Sequence, residues 1–315
     1  MRLRRIFAGV VLSVIPLVCA AGPGAAQENR PVSYNFLAGI PLELGNPGGS
    51  APGSNDWACK PPDRHPNPVV LVHGTGGNRQ DNWGTYAPLL ANEGYCVFSL
   101  TYGAFDDLPW PISAVGGMKT IVQSAGQLRD FVDRVLAATG AHRVDLVGHS
   151  QGTLMPTYYV KHLGGGDKVD KYVSLAPLWN GTDAFGAAQL VEGARTLGAG
   201  ALIDEGIGAV CQACPQMVTG SDFLNALQAD GIYASKITYT NIMTRYDELV
   251  VPHTSGFLEA PNATNVVVQD ECSSNYGEHA AIAAEPVAAA HVLNALDPDH
   301  PRPVPCVFVA PITGG

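Results

Sequence analysis

The sequence predicts an α/β fold, a mostly parallel sheet with helices on both faces, and three observations carry that prediction. Short β-branched runs alternate with stretches of helical length, the rhythm that lays parallel strands beneath crossover helices. Ile121, Ala125, Leu128, Val132 and Val135 recur at the spacing that gathers them on one side of a helix. Hydrophobic residues make up 46% of the 315 positions, enough for a sizeable core, while 36 glycines and 24 prolines fall short of a disordered or collagenous composition.

Each element follows in chain order. Residues 27–68 are rich in Pro, Gly, Asn and Ser around an apolar island at Phe36 and Leu37, and read as an N-terminal excursion wrapped over a body that begins later. Pro68 to Val72 is the first strand, a β-branched run bounded by proline and glycine. A helix is expected from Trp83 to Glu93, a strand from Tyr95 to Thr101, and then the helix containing Ile121, ended by Gly140. Val144 to Val147 forms the third strand, Gln151 to Leu163 a helix, and Tyr172 to Ala176 the fourth strand. The rhythm breaks over residues 181–234, which read as an insertion. Ile237 to Thr244 and Asn265 to Val268 resume as strands, and Pro286 opens a last helix ending near Leu296, proline being tolerated in a first helical turn. Residues 27–315 are therefore expected to form a single domain.

Residues 1–26 read as an address. Arg2, Arg4 and Arg5 precede an apolar stretch from Ile6 to Ala20 and small residues up to Ala26, the three-part pattern of a secretory signal peptide. The apolar stretch is too short for a bilayer span, and Cys19 lacks the small preceding residue that lipid-transfer signals favour. Cleavage is expected after Ala26, with Ala20 and Ala21 as other sites, and the mature chain is expected outside the cell or in its envelope. The formal net charge is −10, and loss of the three arginines makes it more negative still. Such a surface repels phosphate backbones, so nucleic acid is not an expected partner.

Cleavage leaves six cysteines, Cys59, Cys96, Cys211, Cys214, Cys272 and Cys306, and an even number in a secreted chain favours disulfides. Spacing does not fix the pairing. Joining neighbours in order, 59–96, 211–214 and 272–306, involves the least topological complication. Cys211 and Cys214 could instead form a redox pair or half a zinc site, but two further zinc ligands at suitable spacing are absent nearby, so a structural disulfide is expected.

The chemistry is expected at a strand-to-helix turn. Gly148-His149-Ser150-Gln151-Gly152 follows the strand ending at Val147 and opens a helix; a serine at so sharp a turn needs flanking residues without Cβ atoms. A nucleophilic serine needs donors for the oxyanion it creates, and His73-Gly74-Thr75-Gly76-Gly77 leaves the first strand where such a loop belongs. The donors are assigned to the amides of Thr75 and Gln151. A phosphate loop or dinucleotide turn does not fit, because neither pattern is completed. The base is assigned to His279, in a polar loop between the last strand and the last helix. His149 is expected to point away through the turn, His73 to order the oxyanion loop, and His253, His291 and His300 to serve surface or packing. The acid is assigned to Asp247, directly after the strand from Ile237, with Glu248 and Asp270 as alternatives. The order Ser150, Asp247, His279 is the one an α/β-hydrolase imposes.

Val70 to Gly77, Gly148 to Gly152 with Met155 to Tyr159 downstream, Thr244 to Glu248, and Glu278 with His279 together resemble the secreted bacterial class 2 lipases, an α/β-hydrolase family. The likeness runs from about Tyr34 to Cys306. It implies a carboxylic ester hydrolase or triacylglycerol lipase acting on an ester or lipid substrate, with Ser150 as nucleophile, Asp247 and His279 completing a triad, and Thr75 and Gln151 as oxyanion donors. No metal or organic cofactor is called for, and contact with a lipid interface is expected to be transient. Two departures, Thr153 where relatives tend to carry glycine and the absence of histidine before Gly181-Thr182, bear on substrate preference. A cell-envelope acyltransferase would use the same triad, separable because an alcohol must outcompete water for the acyl-enzyme. A non-catalytic binding protein would have lost a triad member, and here all three are present.

The insertion from 181 to 234 lies where such folds carry a cap or lid. It is apolar for a loop, with Phe185, Leu190, Val191, Leu197, Leu202, Ile203, Ile207 and Val210 among alanines and glycines. Part of this surface is expected to line an acyl-binding cleft and to lift to admit substrate, with glycines such as Gly198, Gly200, Gly206 and Gly208 permitting the hinge; the alternative is that these residues pack on the sheet as one more buried helix pair.

Overall fold

The computed structural model describes residues 29–184 and 210–314; the expected signal peptide, the hinge glycines, and every apolar insertion residue named above except Val210 lie outside them. Six strands, β1 (Val69–Val72), β2 (Val97–Leu100), β3 (Val144–His149), β4 (Val169–Leu175), β5 (Thr238–Met243) and β6 (Ala263–Val267), form one sheet in the order β2-β1-β3-β4-β5-β6. Every pairing is parallel. Helices α1 (Gly39–Gly45), α2 (Tyr86–Asn92), α3 (Ile121–Thr139), α4 (Gln151–His162), α5 (Asp222–Gln228) and α6 (Pro286–Leu296) surround it. No helix among the described residues is long and apolar enough to cross a membrane.

The strands read as near-continuous hydrophobic runs because both faces are covered, and their two-residue period divides the core. Val70, Val72, Phe98 and Leu146 face α3 and α4, whose Ile121, Ala125, Leu128, Val132, Leu154 and Tyr159 are buried there. Val69, Leu71, Val147 and Val173 face the opposite layer, built from Trp83, Tyr86 and Leu90 with Val287, Val292 and Leu296 of α6. Helix α3 begins with a reciprocal cap between Thr120 and Gln123 and ends at Gly140 in the left-handed conformation (φ 79°).

Element bounds shift where local packing intervenes. The helix expected from Trp83 divides into a 3-10 turn, Asp81–Trp83, and α2, because the chain at Gly84 passes close to α1. The third strand continues two residues past Val147 to His149, because Gly148 and His149 remain paired with β4. The N-terminal segment covers the open edge of β2: the Asn55 amide donates to Val97, its side chain brackets Ser99, and Cys59 is bonded to Cys96. The other disulfides join Cys211 to Cys214 and Cys272 to Cys306, the neighbour-in-order pairing throughout.

One carboxyl is buried inside the sheet. Asp145 on β3 accepts hydrogen bonds from Asn67 and the Lys171 amide, and burial pushes its pKa up to about 7 despite the Lys171 ammonium 3.8 Å away. A carboxyl raised above its unfolded value lends stability that is present below the unfolded pKa and lost as pH rises toward the folded one. Asp145→Asn is therefore expected to gain thermal stability over wild type progressively from pH 4 to pH 7, with a constant gap above. Melting curves of the two proteins across that range test this, and a gap that does not widen refutes it.

Candidate active site

The turn after β3 brings the serine to the carboxyl edge of the sheet, between β1 and β4, where parallel α/β sheets present their binding crevices. Ser150 adopts φ 55° and ψ −126°, a conformation that L-residues rarely take, and its amide is held by the Leu175 carbonyl at 2.9 Å. The flanking glycines are required by close approach. A Cβ on Gly148 would stand 2.1 Å from the Gly152 carbonyl oxygen, and one on Gly152 would stand 2.0 Å from that of Val72. The sharp turn therefore exists only because neither position carries a side chain.

The glycine loop after β1 is braced from three sides. His73 is fully buried, which pushes its pKa down to about 4 and keeps the ring neutral. The neutral ring donates from Nδ1 to the Gly74 carbonyl at 2.7 Å and accepts the Tyr102 amide at Nε2, 3.2 Å away. Tyr102 stacks on it and donates its hydroxyl to the His73 carbonyl at 2.6 Å. Gly76 donates to Gly116, and Gly116 donates back to Gly77. The Thr75 hydroxyl donates to Gln151 Oε1 at 2.7 Å, which ties the loop to the first residue of α4. Among the described residues no protein acceptor takes the Thr75 amide. The Gln151 amide belongs to the first turn of a helix, where no intrahelical acceptor exists. Thr75 lines the same cavity as Ser150, and Gln151 follows Ser150 directly in the chain.

His279 and Asp247 meet with their side chains buried. The ring Nδ1 lies 2.9 and 3.0 Å from the two carboxylate oxygens, with side-chain exposures of 6% and 2%. Asp247 Oδ1 also accepts the Leu249 and Val250 amides at 3.0 and 2.7 Å, so the carboxylate is oriented independently of the ring. The alternative acids are placed elsewhere: Asp270 pairs with Arg245 at the surface, and Glu248 accepts the His279 backbone amide at 3.3 Å rather than the ring.

Ser150, Thr75 and His279 line one cavity of about 520 Å³. Its apolar wall was only partly legible in the sequence. Phe36 and Ile40 come from the N-terminal excursion, Cys214 and Met217 from the described end of the insertion, and Leu249 and Val250 from the turn after Asp247. Val210, also in the insertion, is 72% exposed. His149 differs from expectation. It does not point away through the turn but is buried on the cavity wall, with Nε2 2.8 Å from the His279 carbonyl and Nδ1 3.1 Å from Asn82 Oδ1. The strand continues through His149, which turns its side chain to the layer holding Trp83 and α6 rather than outward. Asn82 had no sequence signal, being one polar residue among several after the glycines. Among the described residues no three His, Cys, Asp or Glu side chains gather in a way that could hold a metal ion.

Comparisons with known proteins bear on the family and on the fold. The family model described as Lipase (class 2) matches residues 66–291. Triacylglycerol lipases of Pseudarthrobacter phenanthrenivorans and Burkholderia plantarii are each 35% identical over 96 residues, which is 29% of this chain and 27% and 24% of theirs. The match therefore spans about a quarter of those relatives' length. Among solved structures, Aspergillus fumigatus lipase B superposes with a TM-score of 0.60 at 17% identity, covering 81% of this chain and 56% of that one. The mature form of Bacillus licheniformis lipase BlEst2 gives 0.52 at 18% identity, covering 79% and 96%. At those identities the structures establish the α/β-hydrolase fold.

Proposed function

The chain belongs to the class 2 lipase family, and we propose that it is a secreted serine hydrolase cleaving carboxylic esters through an acyl-enzyme on Ser150. The observation that carries this reading is the buried contact between Asp247 and His279, the histidine lining the same cavity as Ser150. Asp247 engages Nδ1, which leaves Nε2 as the nitrogen for the Ser150 proton.

In this reading His279 Nε2 removes the Ser150 hydroxyl proton as Oγ attacks the ester carbonyl. The oxyanion of the tetrahedral intermediate is met by the Thr75 and Gln151 amides. The imidazolium, stabilised by Asp247, returns its proton to the departing alcohol, and the acyl group remains on Oγ. Water then attacks with His279 again as base, releasing the acid and restoring the serine. Three disulfides suit an oxidising compartment, in keeping with secretion.

The apolar wall supports an acyl chain as the bound group. Each methylene buried there contributes up to about 0.8 kcal/mol, roughly fourfold in affinity. In a series of p-nitrophenyl esters, kcat/KM is expected to rise on the order of tenfold to a hundredfold from two-carbon to eight-carbon acyl groups. Running the series with and without an emulsified interface separates pocket preference from interfacial binding. A steady fall beyond two carbons would mean a small closed pocket and reduce the reading to a short-chain esterase.

A further inference from the structure

We propose that His149 is a positioning residue, holding the loop of the base His279 and, through Asn82, the oxyanion loop in a fixed mutual geometry. The proposal rests on the ester-hydrolase reading of the same site and adds a role that the triad does not contain.

Four observations support it. His149 and Asn82 are both buried, at 4% and 3% exposure, and occupy the space between the two loops. The Asn82 side-chain oxygen accepts the Gly74 amide at 3.1 Å, one residue before Thr75. The opposite ring nitrogen, Nε2, lies 2.8 Å from the carbonyl of His279 itself. The two imidazoles lie with centroids 5.0 Å apart at a 41° tilt, and the Phe36 ring packs edge-to-face with His149, centroids 6.2 Å apart. A side chain so enclosed has one place to sit, and it spans the two halves of the machinery that must stay in register.

Proton counting sharpens the role. Complete burial pushes the His149 pKa down to about 3, so the ring is neutral and carries one N–H. The His279 carbonyl can only accept, which assigns that proton to Nε2 and leaves a lone pair on Nδ1. Nδ1 then lies 3.1 Å from the Asn82 side-chain oxygen, the atom that accepts the Gly74 amide. The ring proton ties His149 to the His279 loop, and the other edge of the ring backs the asparagine that holds the oxyanion loop.

The role predicts a loss in turnover rather than in binding, since a misplaced base or oxyanion donor weakens only the transition state. The test measures kcat per active site, with sites counted by burst titration with a p-nitrophenyl alkylphosphonate, which reacts only with a competent serine. His149→Phe fills the space without a donor and is expected to lower kcat per titrated site about 10- to 100-fold, with KM changed less than about threefold. A glutamine amide reaches as far as Nε2 and an asparagine amide only as far as Nδ1. His149→Gln is therefore expected to recover most of the rate, and His149→Asn to stay low. Asn82→Ala combined with His149→Phe should cost little more than His149→Phe alone, because the two side chains act as one unit.

Wild-type kcat per titrated site in His149→Phe overturns the proposal. So does a loss confined to the number of titratable sites, which marks a purely structural residue, or rescue by asparagine as complete as by glutamine. A wild-type protein that neither hydrolyses esters nor reacts with the phosphonate overturns the hydrolase reading itself and the proposal with it.

Discussion

If the proposed ester hydrolysis is correct, Ser150→Ala lowers kcat by about 10⁵-fold or more on every ester tested, while leaving the protein as stable as wild type. The size follows from the chemistry: without Oγ no acyl-enzyme forms, and the residual rate is what substrate binding and the oxyanion amides give to attack by water. The neutrality in stability follows from the turn. Its strain lies in the backbone at φ 55° and in the contacts of Gly148 and Gly152, and alanine meets the same dihedral constraint as serine. The Ser150 amide keeps its bond to Leu175 in either protein. His279→Ala should fall to nearly the same floor, and the double variant no further, because members of a triad act as a unit. Kinetics with p-nitrophenyl esters and a thermal melt test both halves. Retention of more than about 1% of kcat in Ser150→Ala removes Ser150 as nucleophile, and a melting temperature many degrees lower would mean the hydroxyl supports the fold.

What the sequence made legible, and what it did not, divides along the range of the interactions. The strand cores and the faces of α3 were readable because a two-residue or 3.6-residue period is written locally, and Gly140 announces its own left-handed cap. Ser150 was readable because its turn dictates its neighbours: two glycines at fixed offsets from a strand end follow from two backbone collisions. Asp247 and His279 could be assigned only by their position after strands in an expected topology. Their 2.9 Å contact joins residues far apart in sequence. The direction of the His149 side chain differs from expectation for the same reason. A strand ending at Val147 turns that side chain away, whereas a strand running on through His149 turns it inward, and neither the His279 carbonyl nor Asn82 is close in sequence. Phe36 and Ile40 were hidden more deeply. They sit in a segment whose composition suggests loop, and only the folded chain brings α1 beside the glycine loop to form part of the cavity wall.

Asp247→Asn should separate orientation from support at the other end of the site, with kcat reduced about 10⁴-fold and little change in melting temperature. Asparagine keeps the shape and one oxygen, and that oxygen can go on accepting the Leu249 and Val250 amides, so the turn after β5 stays capped. The second carboxylate oxygen becomes an NH₂ group facing His279 Nδ1. A donor opposite a donor is repulsive, so the ring moves its proton to Nε2, the nitrogen that must accept from Ser150, and the base is held in the wrong tautomer. The charge that would stabilise the imidazolium is lost as well. Asp247→Ala should be equally inactive but also less stable, by about 1–3 kcal/mol, because the two amides then lose their acceptor. Glu248→Gln provides the control. Among the described residues its carboxylate accepts the His279 backbone amide, and a glutamine oxygen can accept the same bond, so kcat should stay within about threefold of wild type. If Asp247→Asn keeps a tenth or more of the wild-type rate while Glu248→Gln loses most of it, the orienting acid is Glu248, and the side-chain contact at 2.9 Å is not the one that catalysis uses.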